Sequence, residues 1–355
     1  MHKNLIALTI AGLMAAPVWA QSNVTIYGIM DIGVVSWGGS DSHKTSNRID
    51  QGGSAPSRLG FRGTEDLGNG LSAFFVLEAG TIPDLGGGAR LNRQAHVGLK
   101  GNFGSVSVGH HWNPARQATL GVSVFFAGVG AYQNVIVQQT HLANSIVYST
   151  PSMHGFKVDL AYSTNQEEAS AGAQEDIIMK GATDTNRKVW SVSPTYRNGP
   201  IYAGLTYEQH KEDTAGGDLD RKAWHAFGSY DFGAIKLNGL YGDVSQGDGL
   251  GGSDDKVKQW LVAATIPVSE AGTVGVSYAR GKHDVGGPDL KVSQWALGYT
   301  HVMSKRTSLY ARYAKLSTNS AADGRFAANA SQTTVGGQGT NGFERGISVG
   351  VRHSF

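Results

Sequence analysis

The chain has 355 residues, a formal net charge of +2, 50 glycines, 9 prolines and no cysteine. So near-neutral a balance gives no electrostatic footprint for nucleic acid. The missing thiols exclude a disulfide framework, a thiolate metal site and a cysteine nucleophile. Glycine at about twice its usual share, beside so little proline, favours strands and turns over a disordered chain.

In chain order the first element is a leader. Met1-His2-Lys3 gives a short positive start, Leu5 to Trp19 an apolar stretch, and Val18-Trp19-Ala20 a small residue at the cut site. This is the pattern of a secretory signal peptide over residues 1–20, with cleavage expected before Gln21. The stretch is too short to span a bilayer. Loss of Lys3 with the leader brings the formal charge to +1. Beyond residue 20 no run approaches the roughly 18 apolar residues that a membrane helix needs. Mean hydropathy is −0.23, a value that says little about a barrel, whose apolar residues are hidden by alternation.

Residues 21–355 read as one domain. Gly-, Asn- and Asp-rich clusters divide them into sixteen alternating segments, near 23–36, 55–65, 71–80, 90–99, 104–111, 144–151, 156–163, 187–197, 200–209, 221–231, 234–244, 256–266, 273–281, 291–301, 307–316 and 343–355. The connections alternate between two kinds. Tight ones include Asp66–Gly70, Gly101–Phe103 and Asn198-Gly199, the last a strong two-residue hairpin signal. Long ones are expected near 37–53, 81–89, 112–143, 164–186, 210–220, 245–255, 282–290 and 317–341. Strict alternation puts all tight ends on one rim and all long ends on the other, as in outer-membrane barrels.

Four tryptophans punctuate the second half. Trp190, Trp224, Trp260 and Trp295 recur at intervals of 34, 36 and 35 residues, each opening an alternating run. Residues in phase with them are mostly apolar or aromatic, among them Tyr196, Tyr230 and Tyr299. Side chains two apart share a strand face. A Trp and a Tyr six residues apart lie about 20 Å apart along a strand, close to the height of the aromatic-edged band on a transmembrane barrel. The last segment, Phe343 to Phe355, alternates apolar odd positions with mostly small or polar even ones and stops on an aromatic.

Several stretches together resemble a general porin of the β-proteobacterial type: VTIYGIMDIGVV, SRLGFRGTEDLGNGLSAFFVLEAG, RQAHVGLKGNFGSVSVG, NSIVYSTPSMHGFKVDLAYS and the terminal strand. They are spread over all of residues 21–355, and SRLGFRGTEDLGNG alone is quite specific. The resemblance implies an all-β fold, a 16-stranded antiparallel transmembrane β-barrel whose third loop folds inward. It further implies a homotrimer in the Gram-negative outer membrane, in contact with lipid and lipopolysaccharide. Delivery by the outer-membrane assembly machinery would use the C-terminal strand, with Phe355 as its signal.

Arg58 and Arg62 alternate with Leu59 and Phe61, so both belong on the lumen face. The resemblance expects a basic cluster there; the alternative is a rim charge or a partner for Glu65. Arg93 matches the family's RQA segment, although Ala95 and Val97 share its parity and periodicity alone would not place it. Asp31 alternates with its apolar neighbours and should look inward, either paired with a lumen arginine or touching ions directly. Arg312 and Arg352 fall on the non-lipid faces of late strands. The acidic sets Asp213, Asp218 and Asp220, and Asp248, Asp254 and Asp255, read as solvated loop charge, with Ca²⁺ binding or a bridge to lipopolysaccharide as the alternative.

The connection of residues 112–143 is the expected constriction loop, and it departs from the family. No Asp or Glu occurs between Asp84 and Asp159, while Arg90, Arg93, Lys100, Arg116 and Lys157 lie in that interval. Two family basic positions are replaced, by His110-His111 and by Val147. Missing carboxylates favour anions; missing wall arginines weaken that field. The expectation is a modest anion preference. Phe125, Phe126 and Tyr132 either offer a greasy contact to amphipathic solutes or pin the loop against the inner wall.

Enzyme signatures are weak. Gly346-Ile347-Ser348-Val349-Gly350 matches G-x-S-x-G, but inside a strand rather than at a strand-to-helix elbow. Adjacent His110 and His111 point to opposite faces of a strand and cannot share one ion. The sequons at Asn23 and Asn329 mean little in a bacterial envelope protein. The sequence therefore predicts a passive diffusion pore for small hydrophilic solutes and ions, with no catalytic residue, cofactor, metal or nucleic-acid partner. The rivals are a substrate-specific or adhesin-like barrel and a barrel enzyme.

Overall fold

The computed structural model describes residues 23–38, 46–164, 187–214, 217–247, 255–284, 288–319 and 344–355. The expected leader, the loop acids Asp248 and Asp254, and Asn329 lie outside them, as do the side chains of Asp213 and Asp218.

The first half is built of β1 (Asn23–Gly38), β2 (Ser46–Gln51), β3 (Arg58–Gly68), β4 (Leu71–Ile82), β5 (Gly87–Gly101), β6 (Gly104–Trp112), the helix α1 (Pro114–Leu120), β7 (His141–Ser149) and β8 (Phe156–Ser163). The second half is β9 (Arg187–Asn198), β10 (Ile201–Thr214), β11 (Gly217–Asp231), β12 (Lys236–Gln246), β13 (Asp255–Pro267), β14 (Gly272–Asp284), β15 (Leu290–Val302), β16 (Thr307–Thr318) and β17 (Arg345–Ser354). Neighbours in sequence pair antiparallel, and β1 pairs with β17, Ile29 opposite Ser354, which closes the sheet. Phe355 and Gly28 exchange both backbone hydrogen bonds at 3.1 Å at the seam.

Both β2 and β3 pair with β1, so they are two halves of one strand interrupted at residues 52–57. Seventeen named strands thus fill sixteen positions around a closed antiparallel barrel. No helix among the described residues is long and apolar enough to cross a membrane.

Two expected long connections are shorter than the sequence suggests. β10 and β11 continue as paired strands until Thr214 meets Gly217, so residues 210–220 are mostly strand. β4 and β5 likewise close at Ile82 and Gly87. The β10–β11 end carries polar residues on both faces, and the β4–β5 end is rich in glycine and alanine, so each lacks the apolar alternation that marks a strand. SNRIDQ of β2 was hidden in the same way.

The alternation sorts the side chains as expected. Trp190, Trp224 and Trp295 are exposed on the outer face, while Val189, Ala223 and Gln294, one residue earlier, are buried on the inner face. The tryptophans form one belt with tyrosines of adjacent strands, in the pairs Tyr162–Trp190, Trp224–Tyr241, Trp260–Tyr278 and Trp295–Tyr313, with centroids 4.1, 5.6, 5.3 and 5.1 Å apart. Tyr196 against Phe156, Tyr230 against Phe232, and Tyr299 against His301 lie at the tight-turn end.

The apolar core lies inside the barrel, on one side. Val122, Phe125, Val129, Tyr132, Val135 and Ile136 of the loop after β6 pack on Tyr202, Phe227, Leu240, Leu261, Val292 and Leu316 of the wall. Burial of each such side chain contributes about 1.5–3 kcal/mol. That is what draws this loop inward rather than leaving it at the rim.

Candidate functional site

The inward loop starts at Asn113. Its Oδ1 accepts the Ala115 N–H at 3.1 Å, capping a helix whose first residue is Pro114. Its own N–H donates to the Thr140 carbonyl at 3.0 Å, tying the loop's two ends together. The Asn113 amide also bonds to Glu208 on β10.

From there the loop is clasped by the far wall. Tyr202 Oη donates to the Ala118 carbonyl at 2.7 Å. Gln259 accepts from the Val137 N–H at 2.7 Å and donates to the Val137 carbonyl at 2.9 Å. Gln294 accepts from Asn134 at 2.7 Å and donates to the Ala131 carbonyl at 3.0 Å. Arg312 Nη1 bridges the Ala127 carbonyl at 2.9 Å and the Gly53 carbonyl at 2.8 Å. Buried backbone groups in an irregular loop need partners, and the wall supplies them.

Opposite this clasped loop stands a basic wall. Arg93 Nε lies 2.7 Å from Glu78 Oε1, and Arg58 Nε lies 3.7 Å from Glu78 Oε2. Tyr27 Oη donates to the same carboxylate at 3.0 Å. Arg62 is exposed, with its guanidinium 5.2 Å from the Tyr27 ring centroid. Arg93 points here because the ladder is broken: Glu78 faces Gln94 but Gly80 faces Arg90, so β5 carries extra residues between them. That bulge re-aims Arg93 against the parity of Ala95 and Val97. Its guanidinium also lies 5.0 Å from the Trp112 centroid.

Other expected site residues are placed elsewhere. Asp31 is fully buried. Its Oδ1 accepts from Tyr310 Oη at 2.7 Å, and its Oδ2 accepts the Ser54 and Ala55 N–H groups at 3.0 and 2.8 Å. A tyrosine and two amides fill the role expected of an arginine. Arg312 is buried between the residue 52–57 bend and the loop, 5.2 Å from the Phe125 centroid. Arg116 is enclosed, donating to Tyr132 Oη at 2.6 Å. Phe125 and Tyr132 are buried in the loop–wall core, and Phe126 alone of the three remains half-exposed, 6.2 Å from the Trp112 centroid.

The two adjacent histidines take separate partners, at a point where the β6–β7 register shifts between Gly109 and His111. His111 stacks on His96 at 4.4 Å and bonds Ser107 and Ser145, whereas His110 stacks on His141 at 5.4 Å.

Glu78 and the clasping side chains escaped the sequence reading. Glu78 lies just before the carboxylate-free interval. Gln259 and Gln294 stood in plain view as Gln-Trp pairs: a tryptophan turned outward forces the residue before it inward.

The residues 7–321 match the family model described as Gram-negative porin. The chain belongs to that family. This porin is 32% identical over 367 residues to outer membrane porin protein 32 of Delftia acidovorans, both chains being covered in full. It is 30% identical over 406 residues to an outer membrane porin protein of Bordetella pertussis, again over both whole chains. Among solved structures, the anion-selective porin from Comamonas acidovorans superposes with a TM-score of 0.79 at 31% identity, covering 94% of this chain and 100% of that one. The porin is an outer-membrane channel for passive diffusion, and its family and fold are those of a channel rather than an enzyme.

Proposed function

We infer that this porin passes small hydrophilic solutes with a modest preference for anions. One observation carries the reading: the inward loop has no carboxylate, and the wall opposite sets Arg58, Arg62 and Arg93 against the single carboxylate of Glu78. A net positive constriction concentrates anions and repels cations. Asp31, Arg116 and Arg312 are buried in structural contacts and contribute to that field only at a distance. The relative from Comamonas acidovorans is itself named anion-selective. A reversal potential measured across a KCl gradient tests the sign of the preference.

A substrate-specific channel with a greasy constriction has less support. Phe125 and Tyr132 are turned into the wall, which leaves Phe126 and Trp112 as the aromatic surface near the opening. Residues 1–20 act as the export leader, the terminal strand ending at Phe355 addresses the assembly machinery, and three copies associate as in the family. Cross-linking in native membranes reads the copy number.

A further inference from the structure

The lumen wall of β3 to β5 carries an apolar patch that neither the loop core nor the constriction uses. The register sets Arg62 opposite Val76, and Val76 opposite His96. Directly paired residues share a face of the sheet, so these three form one row across the wall. Leu77 is exposed on the outside, which turns its neighbour Val76 inward. The row lies on the tight-turn side of the Arg58, Glu78 and Arg93 cluster, just past the constriction.

Phe74, two residues before Val76, adds a ring to the patch. It meets His96 edge-on, with centroids 6.1 Å apart and planes at 78°. The ring lies over Gly98, where a Cβ would sit 2.8 Å from Phe74 Cζ. His96 is stacked in turn on the buried His111 at 4.4 Å. Phe74, Val76 and His96 are held from behind yet only half-buried, so each keeps apolar surface toward the water of the lumen. Arg62 supplies the charge. It is exposed, its guanidinium rests 5.2 Å from the Tyr27 ring centroid, and it meets no carboxylate among the described residues. Arg58 and Arg93, by contrast, share Glu78.

We propose that this row is a binding site for aromatic carboxylates, organic acids of a single ring, on their way through the pore. The proposal rests on the anion preference inferred above and names the organic anion that the wall favours. The carboxylate meets the Arg62 guanidinium, while the ring lies over Val76 against Phe74 and His96. Adjacent strands are about 4.8 Å apart, a span that a carboxylate carried on one ring bridges. Aromatic side chains pair edge-to-face or offset with a second ring, and a saturated ring of the same charge has no quadrupole to offer. One cation and one open apolar face hold such a solute loosely, as a channel site must if the solute is to leave again.

Titration of the reconstituted channel in KCl with benzoate and with cyclohexanecarboxylate tests this, each affinity being read from the concentration dependence of current block and current noise. Wild type is expected to hold benzoate at least about threefold more tightly than its saturated counterpart. Phe74→Leu keeps an apolar side chain without the ring and should bring benzoate down to the cyclohexanecarboxylate level. His96→Leu gives a second reading should Phe74→Leu fail to fold. Arg62→Gln should weaken both acids by a similar factor. Equal affinity of the wild type for the two acids would overturn the site, as would benzoate binding that survives Phe74→Leu and His96→Leu undiminished. The zero-current potential of the same channels in a KCl gradient separates the two readings. Chloride preference with no discrimination between the acids removes the site and leaves the anion preference standing, whereas potassium preference removes the anion preference itself.

Discussion

Gln259 on β13 clasps Val137 of the inward loop through both ends of its amide, accepting from the Val137 N–H at 2.7 Å and donating to its carbonyl at 2.9 Å. The contact joins residues 122 apart in sequence. It imitates one rung of a β-ladder with a side chain, and two strands away Gln294 holds the same loop through the Asn134 side chain and the Ala131 carbonyl. The constriction is therefore held by hydrogen bonds from wall side chains, the Arg312 guanidinium among them, and by a packed apolar face.

Substitution Gln259→Leu leaves both backbone groups of Val137 without partners, at a cost of about 1–3 kcal/mol for each buried group. The barrel itself persists, because its ladder is untouched. The expected result is a folded channel with noisier single-channel current and a larger solute cut-off in liposome swelling. Gln259→Glu keeps the acceptor but loses the donor, and falls between the two.

Asp31 anchors the bend between β2 and β3 through one tyrosine hydroxyl and two backbone amides. Asp31→Ala removes all three bonds and is expected to cost about 3 kcal/mol or more. Tyr310→Phe removes one and is expected to cost about 1–2 kcal/mol. Thermal unfolding in detergent, followed by tryptophan fluorescence, should rank the two in that order.

Gly128 sits at φ +76°, where a Cβ would lie 2.5 Å from the Gly53 carbonyl oxygen. Gly128→Ala therefore meets both backbone strain and a collision with the bend that faces the loop, costing more than about 1 kcal/mol. Because Arg312 bridges these same two segments, the displacement should open the constriction, read as raised conductance alongside a lowered unfolding temperature.

The strands were legible because a barrel wall must alternate, and the tryptophan interval reports two strands and their connections. Legibility ended where alternation ended. β2 and the outer parts of β10 and β11 carry polar residues on both faces, so a pattern that measures apolar contrast passes over them. Arg93 was placed by resemblance and explained only by the bulge opposite Glu78 and Gly80. The buried roles of Asp31, Arg116 and Arg312 were out of reach for another reason. An inward parity fixes the face of a strand, and only the path of the loop decides whether that face meets water or protein.

Among the described residues, Glu78 is the one carboxylate within bonding reach of Arg58 and Arg93. Glu78→Gln removes its charge while keeping its shape. A unit charge about 10 Å from a passing ion in water is worth about 0.4 kcal/mol, close to a factor of two for each ion and opposite in sign for anion and cation. The anion-to-cation permeability ratio should therefore rise by up to about fourfold before screening, and Arg58→Ala should lower it.

The most direct measurement is the zero-current potential of the wild-type channel across a tenfold KCl gradient. A positive, carboxylate-free constriction predicts a potential with the sign of chloride preference, reduced as ionic strength rises on both sides. A potential of the opposite sign, marking potassium preference, would contradict the assignment of Arg58, Arg62 and Arg93 as the charges that govern permeation.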